Sequence, residues 1–202
     1  AKPRKNPIKE VAKFAYNMVI EISKKVTIIR ILLRKFNQVR RTGRYNKIRD
    51  SIATDEKTIL FSTFDGRNYS DSPKAIYLRM LSDPKYKDYK FVWVFCEPEK
   101  HIEMLENPNT YIVKTNTVGF EEMCATAKYW FFNYRVADHI YPKDDQVYVE
   151  LWHGTPLKRL GYDIKVSDNA MNSKSEIRDK YRVDAEKFKY ILAPSQFAAD
   201  CF

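Results

Sequence analysis

From residue 58 onward, short apolar segments alternate with segments of helical character, and this alternation constrains the fold more than any other feature. The predicted strands are Thr58–Phe64, Lys90–Cys96, Thr110–Lys114, Tyr129–Tyr134, Gln146–Trp152 and Tyr190–Ala193. The predicted helices are Pro73–Ser82, Lys100–Glu106, Val118–Ala127, Pro156–Leu160 and Ser175–Tyr181, with a last one starting near Ser195. Such alternation is typical of βαβ units, and continuously apolar strands are typical of a parallel sheet buried on both faces. The sequence therefore predicts an α/β, Rossmann-like domain over residues 51–202.

The first fifty residues differ from the rest of the chain in charge. They carry 15 Lys and Arg residues against three Asp and Glu, whereas residues 51–202 hold 21 basic and 23 acidic residues. The net charge of +10 therefore comes from the amino-terminal quarter. Apolar residues recur every three or four positions through residues 8–36, which predicts one or two basic amphipathic helices, followed by a polar connection over Arg40–Asp50. This asymmetry indicates an anionic partner.

Two interpretations of the apolar stripe fit the sequence equally well. The stripe could pack on the domain as a core face, or it could lie in a membrane interface with Lys and Arg near anionic headgroups. Nucleic acid is disfavoured as a partner, because the stripe lacks stacking aromatic residues and no DNA-reading motif is present. The sequence has no run of about 18 apolar residues and makes a poor signal peptide. We therefore expect a protein that faces the cytoplasm, with residues 1–50 as a membrane-associating helical segment.

The cysteines and histidines give no indication of a metal. Cys96, Cys124 and Cys201 are widely spaced in apolar settings, and the chain has only three histidines. Their spacing does not match that of a metal site, so we expect neither a metal nor another cofactor.

The turn after the fifth predicted strand is the richest in potential chemistry. The predicted strand ends at Trp152, His153 follows it, and Gly154 permits a tight turn with close backbone approach. Thr155 is a suitable N-cap and Pro156 fits the first position of a helix. The amides at the start of such a helix can hold an anion. A phosphate-binding turn is one interpretation, and an ordinary capped turn is the other.

Charged residues follow in this turn. Lys158 and Arg159 would lie in the first turn of the predicted helix, where cations are unfavourable unless an anion is nearby. His153 stands at the mouth of the turn and is a candidate general base, although a histidine at the end of a strand can equally be structural.

Two further turns carry polar side chains that could contact a substrate. Asn68, Tyr69 and Asp71 follow the first predicted strand and could hold a hydroxylated molecule, while Arg135 follows the fourth and could bind a phosphate. The alternatives are an Asx-capped turn and a surface salt bridge. Because parallel strands present their carboxyl ends at one edge of the sheet, ligands of such folds bind there.

The segment Leu151–Lys158, with the sequence LWHGTPLK, resembles the signature of the CDP-glycerol glycerophosphotransferase family, which contains the teichoic acid primases and polymerases. Tyr69–Ala75 resembles the first strand–helix turn of that family, and Asn133–Arg135 resembles a third landmark. The order and the spacing agree, and the resemblance extends over residues 55–202.

The resemblance implies a GT-B arrangement, in which two Rossmann-like halves enclose a cleft. This chain would be the N-terminal half, which binds a lipid-linked teichoic acid acceptor. A C-terminal half, absent from the chain, would bind the nucleotide of CDP-glycerol and supply a second essential histidine, so the chain alone is expected to be inactive. His153 would be catalytic, on the cytoplasmic face of the bacterial membrane. The expected substrate-binding residues are Asn68, Tyr69, Asp71, Arg135, Trp152, Gly154, Thr155, Pro156, Lys158 and Arg159.

Two alternative functions remain. A GT-B sugar transferase from a capsule pathway would share the fold but should lack the complete WHGTPLK run. A non-catalytic module would use the basic segment only to dock on a membrane or nucleic acid. The sequence favours neither glycerol phosphate nor ribitol phosphate, and neither a primase nor a polymerase.

Overall fold

The computed structural model describes residues 27–157, 159, 161–165 and 173–201, together with positions 15 and 18. The chain divides into two compact units, residues 1–44 and residues 45–202. The first unit is described almost entirely through the early part of helix α1 (Thr27–Ser51). Most of residues 8–26, where amphipathic helix is predicted, lies outside the described residues.

Helix α1 contradicts one prediction and exposes an apolar face. It runs straight through the segment predicted as a polar connection, because this stretch has no proline to interrupt the helix. Leu32, Phe36 and Val39 share one side of the helix at intervals of four and three residues, and they are 61%, 67% and 72% exposed. Within the part of the chain that the structure describes, no helix is long and apolar enough to cross a membrane.

The second unit is built on a six-stranded sheet in which every paired strand is parallel. Its strands are β1 (Asp55–Ser62), β2 (Lys90–Phe95), β3 (Thr110–Lys114), β4 (Ala127–Phe132), β5 (Val147–Leu151) and β6 (Tyr190–Leu192). The strand order is β3-β2-β1-β4-β5-β6. All six predicted strands are confirmed, with shifts of up to three residues at their ends. The sheet is the Rossmann-like sheet that the alternation predicts.

The helices agree with the prediction less completely. The regular ones are α2 (Asp71–Leu81), α3 (Val118–Thr126), α4 (Lys174–Ala185) and α5 (Gln196–Cys201). The predicted helix at Lys100–Glu106 is instead a pair of 3₁₀ turns, Pro98–Lys100 and Ile102–Glu106. The predicted helix at Pro156–Leu160 is wrong: Pro156, Leu157 and Arg159 have no regular structure, and the remaining two positions lie outside the described residues.

Alternation along the strands sends side chains to two core clusters. In β1, Ile59 and Phe61 pack into one cluster with Trp93, while Leu60 packs into the other with Trp130. All five side chains are at most 1% exposed. Both faces of the sheet are therefore covered, which explains why the strands read as continuous apolar runs.

Candidate functional site

The strand order places a topological switch point between β1 and β4. From β1 the chain first builds outward through β2 and β3, and then returns to add β4, β5 and β6 on the other side. The connections that leave β1 and β4 therefore run to opposite sides of the sheet, and the carboxyl edge beside such a switch point is where ligands of such sheets bind. The turn after β5, with His153, is the next one along this edge.

The turn between β1 and α2 has an unusual backbone. Phe64, Asp65 and Asp71 have φ angles of 48°, 60° and 60°, in the left-handed region that residues with a side chain rarely adopt. The left-handed conformation costs such a residue about 1–2 kcal/mol. Strained residues of this kind persist only where surrounding contacts hold them, and they concentrate at functional sites. The contacts that hold this turn come from β2 and from β4.

Gly66 joins the turn to the end of β2. Its φ angle is 79°, and a Cβ atom at this position would lie 2.9 Å from the Cys96 backbone nitrogen. The Gly66 carbonyl accepts a hydrogen bond from that same Cys96 nitrogen at 2.8 Å. The Cys96 thiol also donates to the Asp65 carbonyl at 3.1 Å. Only glycine permits both this conformation and this close approach.

Asn133 joins the turn to the end of β4. Its side chain is completely buried. The Phe64 backbone N–H donates to Asn133 Oδ1 at 2.8 Å, and Asn133 Nδ2 donates to Asp71 Oδ2 at 2.6 Å. One amide thus bonds to residues near both ends of the turn. In the sequence, Asn133 stood out only as part of a family landmark and was not predicted to belong to the site.

His153 lies against this turn. Its exposed ring meets the Phe64 ring edge-on, with centroids 5.1 Å apart and planes at 75°. The His153 ring also stacks on the ring of Trp152, with centroids 5.7 Å apart and planes at 15°. Gly154 follows at a bend with a φ angle of 75°, the left-handed conformation that a glycine permits and that fits the predicted turn. The structure thus brings the fifth-turn histidine together with the first turn.

The helix that was expected to follow His153 is missing among the described residues. Thr155, Pro156 and Leu157 are irregular, and the Leu157 side chain is 90% exposed. A single helical turn is unfavourable without an apolar face to pack, and the exposure of Leu157 shows that none is buried here. The described part of this turn therefore offers neither helix amides nor a helix dipole. Arg159 is exposed, and Lys158 lies outside the described residues.

The polar residues of the first turn occupy different positions. Asn68 is exposed, and its carbonyl accepts a hydrogen bond from the Thr63 hydroxyl. Tyr69 is half-buried, with its ring edge-on to Trp93 at 4.9 Å and the Lys74 ammonium 4.3 Å above it. Burial raises the pKa of Tyr69 to about 12, so its hydroxyl stays protonated at neutral pH. Asp71 is exposed, and its Oδ2 accepts a hydrogen bond from Asn133 Nδ2.

Arg135 already has protein partners. Its Nε donates to Asp184 Oδ2 at 2.9 Å and its terminal nitrogen donates to the Lys180 carbonyl at 3.0 Å. The guanidinium also lies 4.8 Å from the Tyr181 ring centre. Arg135 therefore fastens α4 to the end of β4, and it is 38% exposed at the side chain.

A buried carboxyl group beneath this edge was not predicted from the sequence. Glu150 on β5 is 6% exposed and accepts a hydrogen bond from the Tyr148 hydroxyl at 2.8 Å. Burial raises the pKa of Glu150 to about 8. Burial also lowers the pKa of Lys187 to about 8, while its ammonium donates to the Ala137 carbonyl at 2.9 Å. An acidic residue inside an otherwise apolar strand was the available signal for Glu150.

Metal-ligating side chains do not gather in the described ranges: no group of three or more His, Cys, Asp or Glu side chains there could hold a metal ion. What the carboxyl edge offers is a histidine, a tyrosine hydroxyl and exposed polar groups around a fixed turn.

The chain is similar to solved structures of the wall teichoic acid polymerase TagF and to curated teichoic acid polymerases and transferases. The chain is 30% identical to a histidine-to-alanine variant of the wall teichoic acid polymerase TagF, with a TM-score of 0.68 over 88% of this chain and 44% of that one. It matches a TagF His-to-Asn variant soaked with CDPG at 30% identity and a TM-score of 0.67, over 83% of this chain and 44% of that one.

Among curated proteins, the chain is 31% identical to the teichoic acid poly(glycerol phosphate) polymerase of Staphylococcus epidermidis, over 85% of this chain and 23% of the relative. It is 28% identical to the teichoic acid glycerol-phosphate transferase of Staphylococcus aureus, over 73% of this chain and 37% of the relative. The chain thus spans about a quarter to two fifths of the length of these relatives.

The family comparison covers nearly all of the second unit. A sequence model of the CDP-Glycerol:Poly(glycerophosphate) glycerophosphotransferase family matches residues 45–202, which begin where the second compact unit begins. The match includes the β1 turn, Asn133 and the LWHGTPLK segment that carried the resemblance in the sequence. The chain therefore belongs to the CDP-glycerol:poly(glycerophosphate) glycerophosphotransferase family.

Proposed function

We propose that the chain forms the acceptor-binding side of an enzyme that transfers glycerol phosphate from CDP-glycerol to a lipid-linked teichoic acid polymer. Family membership supports the reaction class, and the CDPG-soaked TagF structures support CDP-glycerol as the donor. The single observation that carries the site assignment is the position of His153. It lies at the carboxyl edge beside the switch point, in contact with the turn from β1.

The reaction needs three things of the protein: a proton acceptor, groups that stabilise phosphoryl oxygens, and positioning. In the proposed mechanism, a terminal hydroxyl of the acceptor gives its proton to His153 as its oxygen attacks the β-phosphorus of CDP-glycerol. A new P–O bond forms, the bond to the CMP phosphate oxygen breaks, and CMP leaves. The exposed ring of His153 is accessible to an acceptor that enters from solvent.

The polar groups of the edge have proposed roles around His153. Asn68, Tyr69 and Asp71 bind hydroxyl groups of the acceptor, with the Tyr69 hydroxyl held protonated as a donor. Lys158 and Arg159 neutralise charge on the phosphoryl oxygens.

The remaining residues of the edge shape the site. Trp152, Gly154, Thr155 and Pro156 form the wall beside His153 and allow the backbone to approach the substrate closely. Arg135 contributes through its positive field rather than by a direct contact, because Asp184 and α4 already occupy its guanidinium.

The donor and the membrane complete the proposal. The nucleotide of CDP-glycerol binds mainly to a second, C-terminal half beyond residues 51–202, and the 202-residue chain by itself does not release CMP. Residues 1–50 bind the anionic cytoplasmic face of the membrane peripherally, where the lipid-linked acceptor is found. The exposed apolar face of α1 and the surrounding basic residues support this role. Family membership disfavours the capsule sugar transferase.

Histidine replacement in the full-length gene product tests the proposal. With CDP-glycerol and a lipid-linked acceptor, His153→Ala should lower kcat for CMP release by about 10²–10⁴-fold, the usual cost of losing a general base. His101→Ala is the matched control. His101 stacks on Phe95, the last residue of β2. Strands β2 and β5 are three positions apart in the sheet, and this separation is about 14 Å at the usual spacing of about 4.8 Å between neighbouring strands.

The control should keep its kcat, and both variants should retain the far-UV spectrum of the parent. A near-normal kcat in His153→Ala would remove the catalytic assignment. If the unsubstituted protein does not incorporate glycerol phosphate from CDP-glycerol into the acceptor, the proposed reaction itself is wrong.

A further inference from the structure

We propose that Asn133 is a positioning residue for this reaction: its buried amide fixes the β1–α2 turn and thereby sets the ring of His153. The inference rests on the proposed function, because it concerns the geometry of the same site. It adds a residue that does not touch the substrate and acts through Phe64.

The chemistry at Asn133 fixes which way its amide points. The Phe64 backbone N–H can only donate, so the atom that faces it at 2.8 Å must be the amide oxygen. The Asp71 carboxylate can only accept, so the atom 2.6 Å from it must be the amide nitrogen. A flipped amide would oppose donor to donor and acceptor to acceptor. Asparagine is therefore matched to both partners at once, and the bond to the carboxylate is charge-assisted.

Hydrogen bonds hold the turn from two sides: Gly66 and Asp65 bond to Cys96, which follows β2, and the Asn133 amide bonds to Phe64 and Asp71. Asp65, Arg67 and Asn68 are exposed, so packing contributes little there. Phe64 and Asp71, which the amide bonds directly, are two of the residues with left-handed φ angles. The partners lie 69 and 62 positions from Asn133 in sequence. The amide thus holds both ends of the strained segment against the sheet from a separate strand.

The Phe64 ring carries this constraint to His153. Its edge-on contact at 5.1 Å joins the turn after β1 to the turn after β5, whereas Trp152, the other ring against His153, is its sequence neighbour and moves with it. If the Phe64 backbone leaves its bond to Asn133, the Phe64 ring leaves its place beside His153. A small displacement of a catalytic group can cost about 10²-fold in rate.

Reversing the polarity of the hydrogen bond provides a direct test. Asn133→Asp keeps the acceptor for Phe64 N–H but places two carboxylates 2.6 Å apart, so the turn should open. The double variant Asn133→Asp, Asp71→Asn restores a donor opposite an acceptor, and asparagine tolerates the left-handed φ angle of position 71.

In the full-length gene product, Asn133→Asp should lower kcat by about 10²-fold while KM for CDP-glycerol changes by less than about twofold. Because Asp71 is itself proposed to bind the acceptor, the double variant is compared with Asp71→Asn alone, and adding Asn133→Asp should lower kcat far less in that background than in the parent. If adding Asn133→Asp lowers kcat by the same factor in the Asp71→Asn background as in the parent, with all variants folded, the role of the hydrogen bond is overturned. A large rise in KM with unchanged kcat in Asn133→Asp would overturn positioning of His153.

A spectroscopic measurement separates this inference from the proposed function. In the 202-residue chain, the His153 imidazole Hε1 resonance, assigned by its loss in His153→Ala, senses the ring current of Phe64. It should move in Asn133→Asp and return toward the parent position in the double variant. An unmoved resonance in folded Asn133→Asp would overturn the inference, whatever the activity of His153→Ala.

A second variant tests the same route without a substitution at Asn133, so that misfolding of an Asn133 variant cannot decide the result. Phe64→Leu leaves both bonds of the Asn133 amide available and removes only the ring that meets His153. It should move the His153 resonance and lower kcat as Asn133→Asp does. Normal kcat in Phe64→Leu would overturn the proposed route from Asn133 to His153.

Discussion

Gly66→Ala tests the physical account of the turn on which the site depends. The substitution adds one methyl group where φ is 79° and where the β1–α2 turn meets the end of β2. The new Cβ would lie 2.9 Å from the Cys96 nitrogen, 3.0 Å from the Phe95 carbonyl carbon and 3.1 Å from Phe95 Cα. All three are backbone atoms, so no side chain can rotate away and the turn or strand β2 must shift.

Two costs add at this position. The left-handed conformation costs a residue with a Cβ about 1–2 kcal/mol, and forcing extra volume into a packed region costs about 1–3 kcal/mol. We therefore expect Gly66→Ala to lower the free energy of unfolding by about 2–5 kcal/mol. A shift that relieves the clash also weakens the hydrogen bond from Cys96 to the Gly66 carbonyl, which favours the upper part of this range.

Substitutions at two other glycines distinguish the stability cost of a left-handed φ angle from the cost of steric overlap. Gly154 has a φ angle of 75° but no atom within 4 Å of the position that a Cβ would take, so Gly154→Ala should cost about 1–2 kcal/mol from strain alone. Gly43 lies inside helix α1 with open space around it, so Gly43→Ala should be neutral or stabilising by up to about 1 kcal/mol. Urea unfolding of the 202-residue chain, followed by tryptophan fluorescence, measures all three. A cost for Gly66→Ala no larger than that for Gly154→Ala would refute the close-approach reasoning.

Two further predictions concern charge and the membrane. Burial raises the pKa of Glu150 to about 8, so the folded chain keeps a proton that the unfolded chain releases above about pH 4.3. Stability should therefore fall as pH rises from there to about 8. Glu150→Gln should reduce the difference between urea midpoints at pH 5 and pH 8, and an equal fall in both proteins would contradict the assignment. Replacing Leu32, Phe36 and Val39 of α1 together by serine should reduce sedimentation of the chain with phosphatidylglycerol vesicles, because it removes exposed apolar surface for interfacial binding; undiminished sedimentation would exclude this face from membrane binding.

The sequence predicted features that depend on short stretches of chain. Thr110–Lys114 was located to the residue, because an apolar β-rich run between turn residues needs no distant information. The bend at Gly154 likewise followed from a local backbone requirement. The prediction failed after Pro156, where good capping residues suggested a helix. Capping residues favour a helix but do not supply the packing that a short one needs, and Leu157 stays exposed.

The sequence by itself determined the parallel α/β architecture, the turns that could carry chemistry and, through the LWHGTPLK segment, the family. Tertiary structure alone decided which turns meet. Strand order brings β1, β4 and β5 side by side, so that Asn133 bonds to a turn more than sixty positions earlier and Phe64 reaches His153. Hydrophobic periodicity specifies which face of a strand is buried, but it carries no information on the neighbours of that strand. Those neighbours follow from the packing of the whole sheet, and the site is assembled from them.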